Sequence, residues 1–119
     1  MTKFQRRVIV DECLPRKLNS LLGEFEAKTV PEVQLGGWKN GKLLAAIQGQ
    51  FDVFVTIDAN LEYQQNFSGL DFGIVVIHAF SNRFADIEPL KDELVEAVLA
   101  VEAGGVRHVP AEESTGSGQ

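Results

Sequence analysis

The sequence has few residues with distinctive chemistry, since 119 residues include one cysteine, Cys13, and two histidines, His78 and His108. A single cysteine cannot form an internal disulfide, which fits a reducing compartment. One cysteine and two histidines are a poor ligand set for zinc, and neither histidine has the sequence context of a serine hydrolase. We therefore interpret Cys13 as a small, buried apolar residue.

Long hydrophobic runs are also missing. Stretches such as GIVVIHAF, residues 73–80, are too short to cross a bilayer. The apolar run after the basic N-terminus, MTKFQRR, reaches three residues before Asp11 interrupts it, and a signal peptide needs a longer one. We expect a cytoplasmic protein without a membrane segment, consisting of one domain over residues 1–109 and a disordered polar tail over residues 110–119.

Positive charge is scarce and unevenly distributed. The net charge of −6 argues against indiscriminate binding to nucleic acid, yet residues 1–50 carry eight Lys and Arg against five Asp and Glu. Five of these basic residues, including Lys3, flank the acidic pair Asp11 and Glu12. The four nearest to the pair are Arg6, Arg7, Arg16 and Lys17. We predict that they hold or guide an anionic substrate, the alternative being an ordinary solvated surface.

Segments with the pattern of a strand alternate with segments of helical spacing, which predicts an α/β fold. β-Branched runs predict strands at residues 6–10, 26–30, 53–57, 73–79 and 105–109. Helical spacing predicts a helix that starts at Pro15, a second that Asn40 caps, and a long third helix that Pro89 starts or kinks. The resulting architecture is a three-layer, Rossmann-like fold with a short, mainly parallel central sheet. Exposed leucines of the last helix would form a homodimer or partner surface.

The first and third predicted strands both end on an aspartate, Asp11 and Asp58. Ligand sites in parallel sheets lie outside the carboxyl ends of the strands, so we expect these two side chains at one edge. Neighbouring carboxylates repel one another unless a cation compensates, and Mg²⁺ and Mn²⁺ prefer oxygen ligands. We predict Asp11 and Asp58 as metal ligands and catalytic residues. Secondary candidates for metal ligands are Glu12, Asn40 and Asn60, for which helix-start or helix-capping roles are the alternative.

One alternative is the phosphoacceptor receiver domain, in which an acidic pair after strand one binds magnesium and a strand-three aspartate takes the phosphoryl group. Asp58 fits that pattern, and Ser81 would be the hydroxyl residue. The lysine that receivers carry after strand five is missing, since GVRHV offers Arg107 and His108.

Four phrases in order, VDECLPRKL, GGWKNGKLL, DVFVTIDANLEYQQN and SNRFADIEPL, resemble another family. They are similar to the small PIN-like proteins of the DUF5615 family, relatives of the VapC-type toxins, over roughly residues 6 to 109. The resemblance implies a PIN fold and, in active members, Mg²⁺- or Mn²⁺-dependent cleavage of RNA. It also implies a small antitoxin protein as a partner.

By this resemblance, Asp11 matches the first PIN aspartate and Asp58 the aspartate of the T-x-D motif, in which Thr56 would orient Asp58 or support the strand end. The middle acid falls at Asn40, which supplies no charge. Further positions with a possible role are Asn60 and Glu62 at the site, and Trp38 and Tyr63 as stacking partners of an unpaired base or as packing residues. Because the site has so few acids, a degenerate module that binds RNA or protein without cutting is the second hypothesis.

Overall fold

Five short parallel strands form one sheet in a computed structural model, which describes residues 6–38, 40–61 and 66–111. The strands are β1 (Arg7–Val10), β2 (Glu26–Thr29), β3 (Val53–Thr56), β4 (Gly73–Ile77) and β5 (Val106–Val109). Their order in the sheet is β2-β1-β3-β4-β5, and every neighbouring pair is parallel. Each strand lies within the segment that the β-branched runs predict.

Within the described residues, six helical elements connect the strands. They are the 3₁₀ helices η1 (Arg16–Leu22), η2 (Pro31–Val33) and η3 (Glu88–Leu90), and the α-helices α1 (Asn40–Ile47), α2 (Phe84–Ile87) and α3 (Lys91–Ala100). The element after Pro15 is therefore a 3₁₀ helix, although we expected an α-helix. Leu18 and Leu21 are three residues apart, a spacing that also suits the three-residue turn of a 3₁₀ helix. The long helix is interrupted near Pro89, which has no N–H to donate.

Alternating side chains of the strands divide the core into two layers. Val8 and Val10 pack on one face of the sheet in a cluster that includes residues of η1 and α3. Ile9 points to the other face and packs in a cluster that includes Leu43 and Ile47 of α1. All three β1 residues are fully buried, because a strand in the middle of a parallel sheet is covered on both sides. The predicted three-layer α/β architecture is confirmed.

No leucine of the last helix is fully exposed. Leu94 is buried in the core, and Leu90 and Leu99 are partly buried against the same cluster. The prediction of exposed leucines as a partner surface is therefore wrong for this helix. Within the described residues no helix is long and apolar enough to cross a membrane. The predicted tail falls outside the described residues from position 112 onward.

The order of the strands reverses between β1 and β3, because β2 lies on one side of β1 and β3 on the other. Such a switch point leaves a crevice outside the carboxyl ends of the two strands. Asp11 follows β1 directly, and Asp58 follows β3 by two residues. The fold therefore brings the two predicted acids to this crevice.

Candidate functional site at the carboxyl ends of β1 and β3

Asp11 and Asp58 line the same cavity, which has a volume of about 390 Å³. The other lining residues are Glu12, Cys13, Trp38, Leu43, Leu44, Phe54, Ile57 and Leu61. One part of the wall is thus acidic, while α1 and the end of β3 supply an apolar part. Such a combination suits a ligand with both a charged and a flat apolar portion.

Thr56 connects the two acidic segments. It is the last residue of β3 and is fully buried. Its Oγ1 donates a hydrogen bond to Oδ2 of Asp11 at 2.7 Å and accepts one from the backbone N–H of Asp58 at 3.1 Å. The side chain that Thr56 orients is therefore that of Asp11, whereas the resemblance implied that it orients Asp58 or supports the strand end. Its second contact holds the backbone at Asp58.

Cys13 is the other side chain that contacts Asp11. Its Sγ lies 3.3 Å from Oδ2 of Asp11 and 3.9 Å from Oγ1 of Thr56. Burial raises the pKa of the Cys13 thiol, so the thiol keeps its proton at neutral pH and can donate. The residue is only half-buried and lines the cavity. The interpretation of Cys13 as a buried apolar residue is therefore incomplete.

The carboxylate of Asp58 has a different partner. Its Oδ1 accepts the backbone N–H of Asn60 at 3.0 Å, and its carbonyl oxygen accepts the N–H of Leu61 at 3.2 Å. This turn fixes the direction of Asp58 without any other side chain. Asn60, which we considered as a metal ligand or a helix cap, is exposed, and its backbone N–H makes the hydrogen bond to Asp58.

Neither aspartate has a basic partner in the described part of the chain, whose ion pairs within 4.0 Å are Arg7–Asp52 and Arg83–Asp86. In the same residues, Oδ1 of Asp11 and Oδ2 of Asp58 make no hydrogen bond. These oxygens are available as hard ligands. Magnesium sites are commonly built from one or two carboxylates, with water and substrate phosphate completing the shell.

A cation at these two oxygens would receive few ligands from the protein. Across residues 6–38, 40–61 and 66–111, no group of three or more His, Cys, Asp or Glu side chains is arranged to hold a metal ion. Asp11 and Asp58 would therefore be the ligands from the described chain, and water or a bound phosphate would fill most positions around the cation.

Glu12 holds a loop rather than pairing with Asp11. Its Oε1 accepts the backbone N–H of Gly37 at 2.9 Å. Gly37 has a φ of +87°, a conformation that residues other than glycine rarely adopt. The next residue, Trp38, lines the cavity, and the Nζ of Lys42 lies 4.4 Å from the centre of its ring. Sequence reasoning missed Lys42, which brings a positive charge to the mouth of the cavity.

The four basic residues separate into two groups. Arg6 and Arg7 lie at the start of β1, the end of the strand away from Asp11. Arg6 donates to the carbonyls of Val98, in the last turn of α3, and of Val101, directly after it, and Arg7 pairs with Asp52. The structure does not bring these two arginines to the carboxylates, in contrast to our prediction.

Arg16 and Lys17 begin η1, directly after the loop that carries Asp11, and both are exposed. They line a neighbouring groove of about 580 Å³ together with Thr29 at the carboxyl end of β2. These two remain on the side of the sheet where the aspartates lie.

Several predicted positions cannot be compared with the structure. Asn40 is the first residue of α1, but its side chain is outside the described part of the chain, as are Glu62 and Tyr63.

Ser81, the hydroxyl residue of the receiver hypothesis, donates to Asp86 at 2.5 Å rather than contacting Asp58. His78 and His108 contact each other, with 2.7 Å between Nε2 and Nδ1.

Fold and site together define a small α/β protein with a cavity at the switch point of a parallel sheet, lined by three acidic residues, Asp11, Glu12 and Asp58. Comparisons with protein-family models, curated proteins and solved structures found no match. The resemblance to the DUF5615 family stays a prediction, and the chemistry has to be argued from the geometry of the cavity.

Proposed function

We propose that this protein is a ribonuclease that uses Mg²⁺ or Mn²⁺ to hydrolyse RNA phosphodiesters. The observation that carries the proposal is the pair Asp11 and Asp58, which line one cavity and have no basic partner within 4.0 Å among the described residues. Two such carboxylates gain most from a bound divalent cation, because it offsets their mutual repulsion.

The residues of the chain would divide the work as follows. Asp11 and Asp58 hold the cation, each with one carboxylate oxygen already hydrogen-bonded within the protein. Thr56 keeps Asp11 in place through its 2.7 Å hydrogen bond. A bound Mg²⁺ or Mn²⁺ supplies Lewis-acid stabilisation of the phosphodiester and activation of water.

Substrate contacts would come from both sides of the cavity. Arg16 and Lys17 are exposed on η1 and would neutralise flanking phosphates. Trp38 is 37% exposed and lines the cavity, so an unpaired base can stack on its free surface. Single-stranded RNA is therefore the preferred substrate in this proposal.

The family resemblance adds a biological setting to the proposal. A nuclease of this size related to VapC-type toxins would be the toxic member of a toxin–antitoxin pair, neutralised by a small protein. Such a setting would place the protein in the cytoplasm, where its RNA substrate is found.

The proposal is tested by incubating single-stranded RNA with the protein and Mn²⁺ or Mg²⁺. We expect cleavage by the wild type and a loss of at least about 100-fold in Asp11→Asn and Asp58→Asn, because each removes a charged ligand. Asp52→Asn is the matched control, since Asp52 lies just before β3 and pairs with Arg7 at the other end of the sheet. Cleavage that survives in both site variants would contradict the proposal.

A second candidate is a binding module that holds RNA or a protein without cutting. It is favoured by the small number of metal-binding side chains, since the described residues contain no group of three. This candidate predicts that fluorescent RNA binds wild type and Asp11→Asn with equal affinity in the presence of EDTA, with no cleavage when Mn²⁺ is added. RNA cleavage that depends on Asp11 would exclude it.

A further inference from the structure

Two hydrogen-bond donors meet one oxygen of Asp11. Thr56 Oγ1 lies 2.7 Å from Oδ2, and Cys13 Sγ lies 3.3 Å from the same atom. The other oxygen, Oδ1, has no partner among the described residues. Both donors thus act on the same side of the carboxylate, which leaves the opposite oxygen for a ligand.

Local structure explains why the thiol reaches back to Asp11. The N–H of Leu14 donates to the carbonyl of Asp11 at 3.0 Å, so residues 11–14 form a turn with Cys13 near its end. Asn82 Nδ2 donates to the carbonyl of Cys13 at 2.9 Å and fastens the turn to the segment after β4. These two hydrogen bonds fix the backbone around Cys13. Its side chain therefore lies over Asp11, the first residue of the turn.

We propose that Cys13 is a positioning residue, which together with Thr56 fixes the Asp11 carboxylate so that Oδ1 is free to bind the divalent cation. This inference rests on the proposed function, because it assigns a role within the same cation site. A thiol is a weak donor, so its contribution is smaller than that of the Thr56 hydroxyl. Hydrogen-bond partners of metal-binding side chains commonly affect metal affinity, since they orient the ligand before the metal arrives.

The test measures the dissociation constant of Mn²⁺, followed by the electron paramagnetic resonance signal of free Mn²⁺, and needs no RNA. Cys13→Ala removes the donor, and we expect its Mn²⁺ affinity to fall about threefold to tenfold, at or below the lower end of the range for such partners. Cys13→Ser keeps a donor of similar size, and we expect its affinity to stay within about twofold of wild type. Ser20→Ala is the control, because Ser20 is an η1 residue whose hydroxyl, among the described residues, donates to the carbonyl of Lys17 and does not contact the site.

Equal Mn²⁺ affinity in wild type and Cys13→Ala would overturn the role of Cys13 and leave the ribonuclease proposal intact. Equal losses in Cys13→Ala and Cys13→Ser would also overturn it, since packing rather than hydrogen bonding would then explain the effect. A wild type that binds no Mn²⁺ would overturn both proposals. A wild type that binds Mn²⁺ more tightly than Cys13→Ala but cuts no RNA would support the inference and contradict the ribonuclease proposal.

Discussion

The two ends of the parallel sheet differ in the partners of their charged side chains. At the amino end, Arg6 donates to the carbonyls of Val98 and Val101 at 2.6 and 2.8 Å, and Arg7 pairs with Asp52 at 3.3 Å. At the carboxyl end, Asp11 and Asp58 accept hydrogen bonds only from neutral groups of the described chain.

The charged residues at the two ends of the sheet therefore have different consequences, one for stability and the other for ligand binding. A guanidinium that satisfies the last carbonyls of a helix offsets the cost of leaving them unpaired and interacts favourably with the negative end of the helix dipole. Carboxylates that lie near each other favour a bound cation, because the cation offsets their repulsion. We infer that the amino end holds the fold together and that the carboxyl end is arranged for a ligand.

The largest expected effect comes from removing charge at the carboxyl end. Asp11→Asn or Asp58→Asn should reduce Mn²⁺-dependent RNA cleavage at least about 100-fold. The free energy of unfolding in EDTA should stay equal or rise slightly, because repulsion between the carboxylates is relieved. Urea denaturation and the cleavage assay check the two halves of this prediction. If a variant lost activity because it unfolds, Asp11 or Asp58 would be needed for stability, which would contradict the proposed difference between the two ends of the sheet.

The next largest effect is expected at the amino end. Arg6→Met should lower the free energy of unfolding by about 2 kcal/mol, since two hydrogen bonds from a charged donor are lost. Mn²⁺ affinity should not change. The control is Arg83→Met, because Arg83 is 78% exposed and its 4.0 Å contact to Asp86 is worth little. Urea denaturation in which both variants lose equal stability would show that Arg6 has no special role.

Thr56→Val sharpens the comparison within the site. Valine has nearly the same shape but lacks the hydroxyl that donates to Asp11 and accepts from Asp58. We expect Mn²⁺ affinity to fall about tenfold, which corresponds to about 1.4 kcal/mol. Thr56→Ser keeps the hydroxyl and should retain most of the affinity. If serine were as damaging as valine, loss of the hydroxyl alone would not explain the effect, because serine retains it.

The smallest effect concerns the pH dependence of the Arg7–Asp52 pair. Burial on its own would raise the pKa of Asp52, but hydrogen bonds from Arg7 and its charge outweigh burial and lower that pKa below the ordinary 3.8. A lowered folded-state pKa contributes stability above the unfolded value, and this contribution is lost as the pH falls through the folded value.

Wild type should therefore exceed Asp52→Asn in free energy of unfolding at pH 7 by less than about 1 kcal/mol, because the exposed pair is screened by solvent. The difference should shrink as the pH is lowered below 3.8, and urea denaturation at several pH values measures it. A difference that is independent of pH would mean that the charge of Asp52 does not matter.

The strands and the two aspartates were predictable from the sequence because both follow local rules. Runs of β-branched residues predict each strand, and parallel strands deliver the residues after them to one edge. Asp11 and Asp58 needed only these two rules. Helix type was harder, because the leucine spacing from Leu18 to Leu22 fits an α-helix and a 3₁₀ helix alike.

Contacts between distant segments could not be read from the sequence. Arg7 is four residues from Asp11, yet a strand of that length separates them by roughly 13 Å at about 3.3 Å per residue. The bond from Glu12 to Gly37 and the position of Lys42 over Trp38 depend on how a loop folds back over the sheet edge. Closeness along the chain was therefore a poor guide to which charges share a site.

The central claim is that Asp11 and Asp58 form a divalent-cation site. Asp52, which lies just before β3 at the opposite end of the strand, takes no part in it. Isothermal titration of Mn²⁺ into wild type, Asp11→Asn, Asp58→Asn and Asp52→Asn tests it directly. The account predicts one saturable site per chain in wild type and Asp52→Asn, and its loss in the other two variants. Equal binding in all four proteins, or none in wild type, would contradict it.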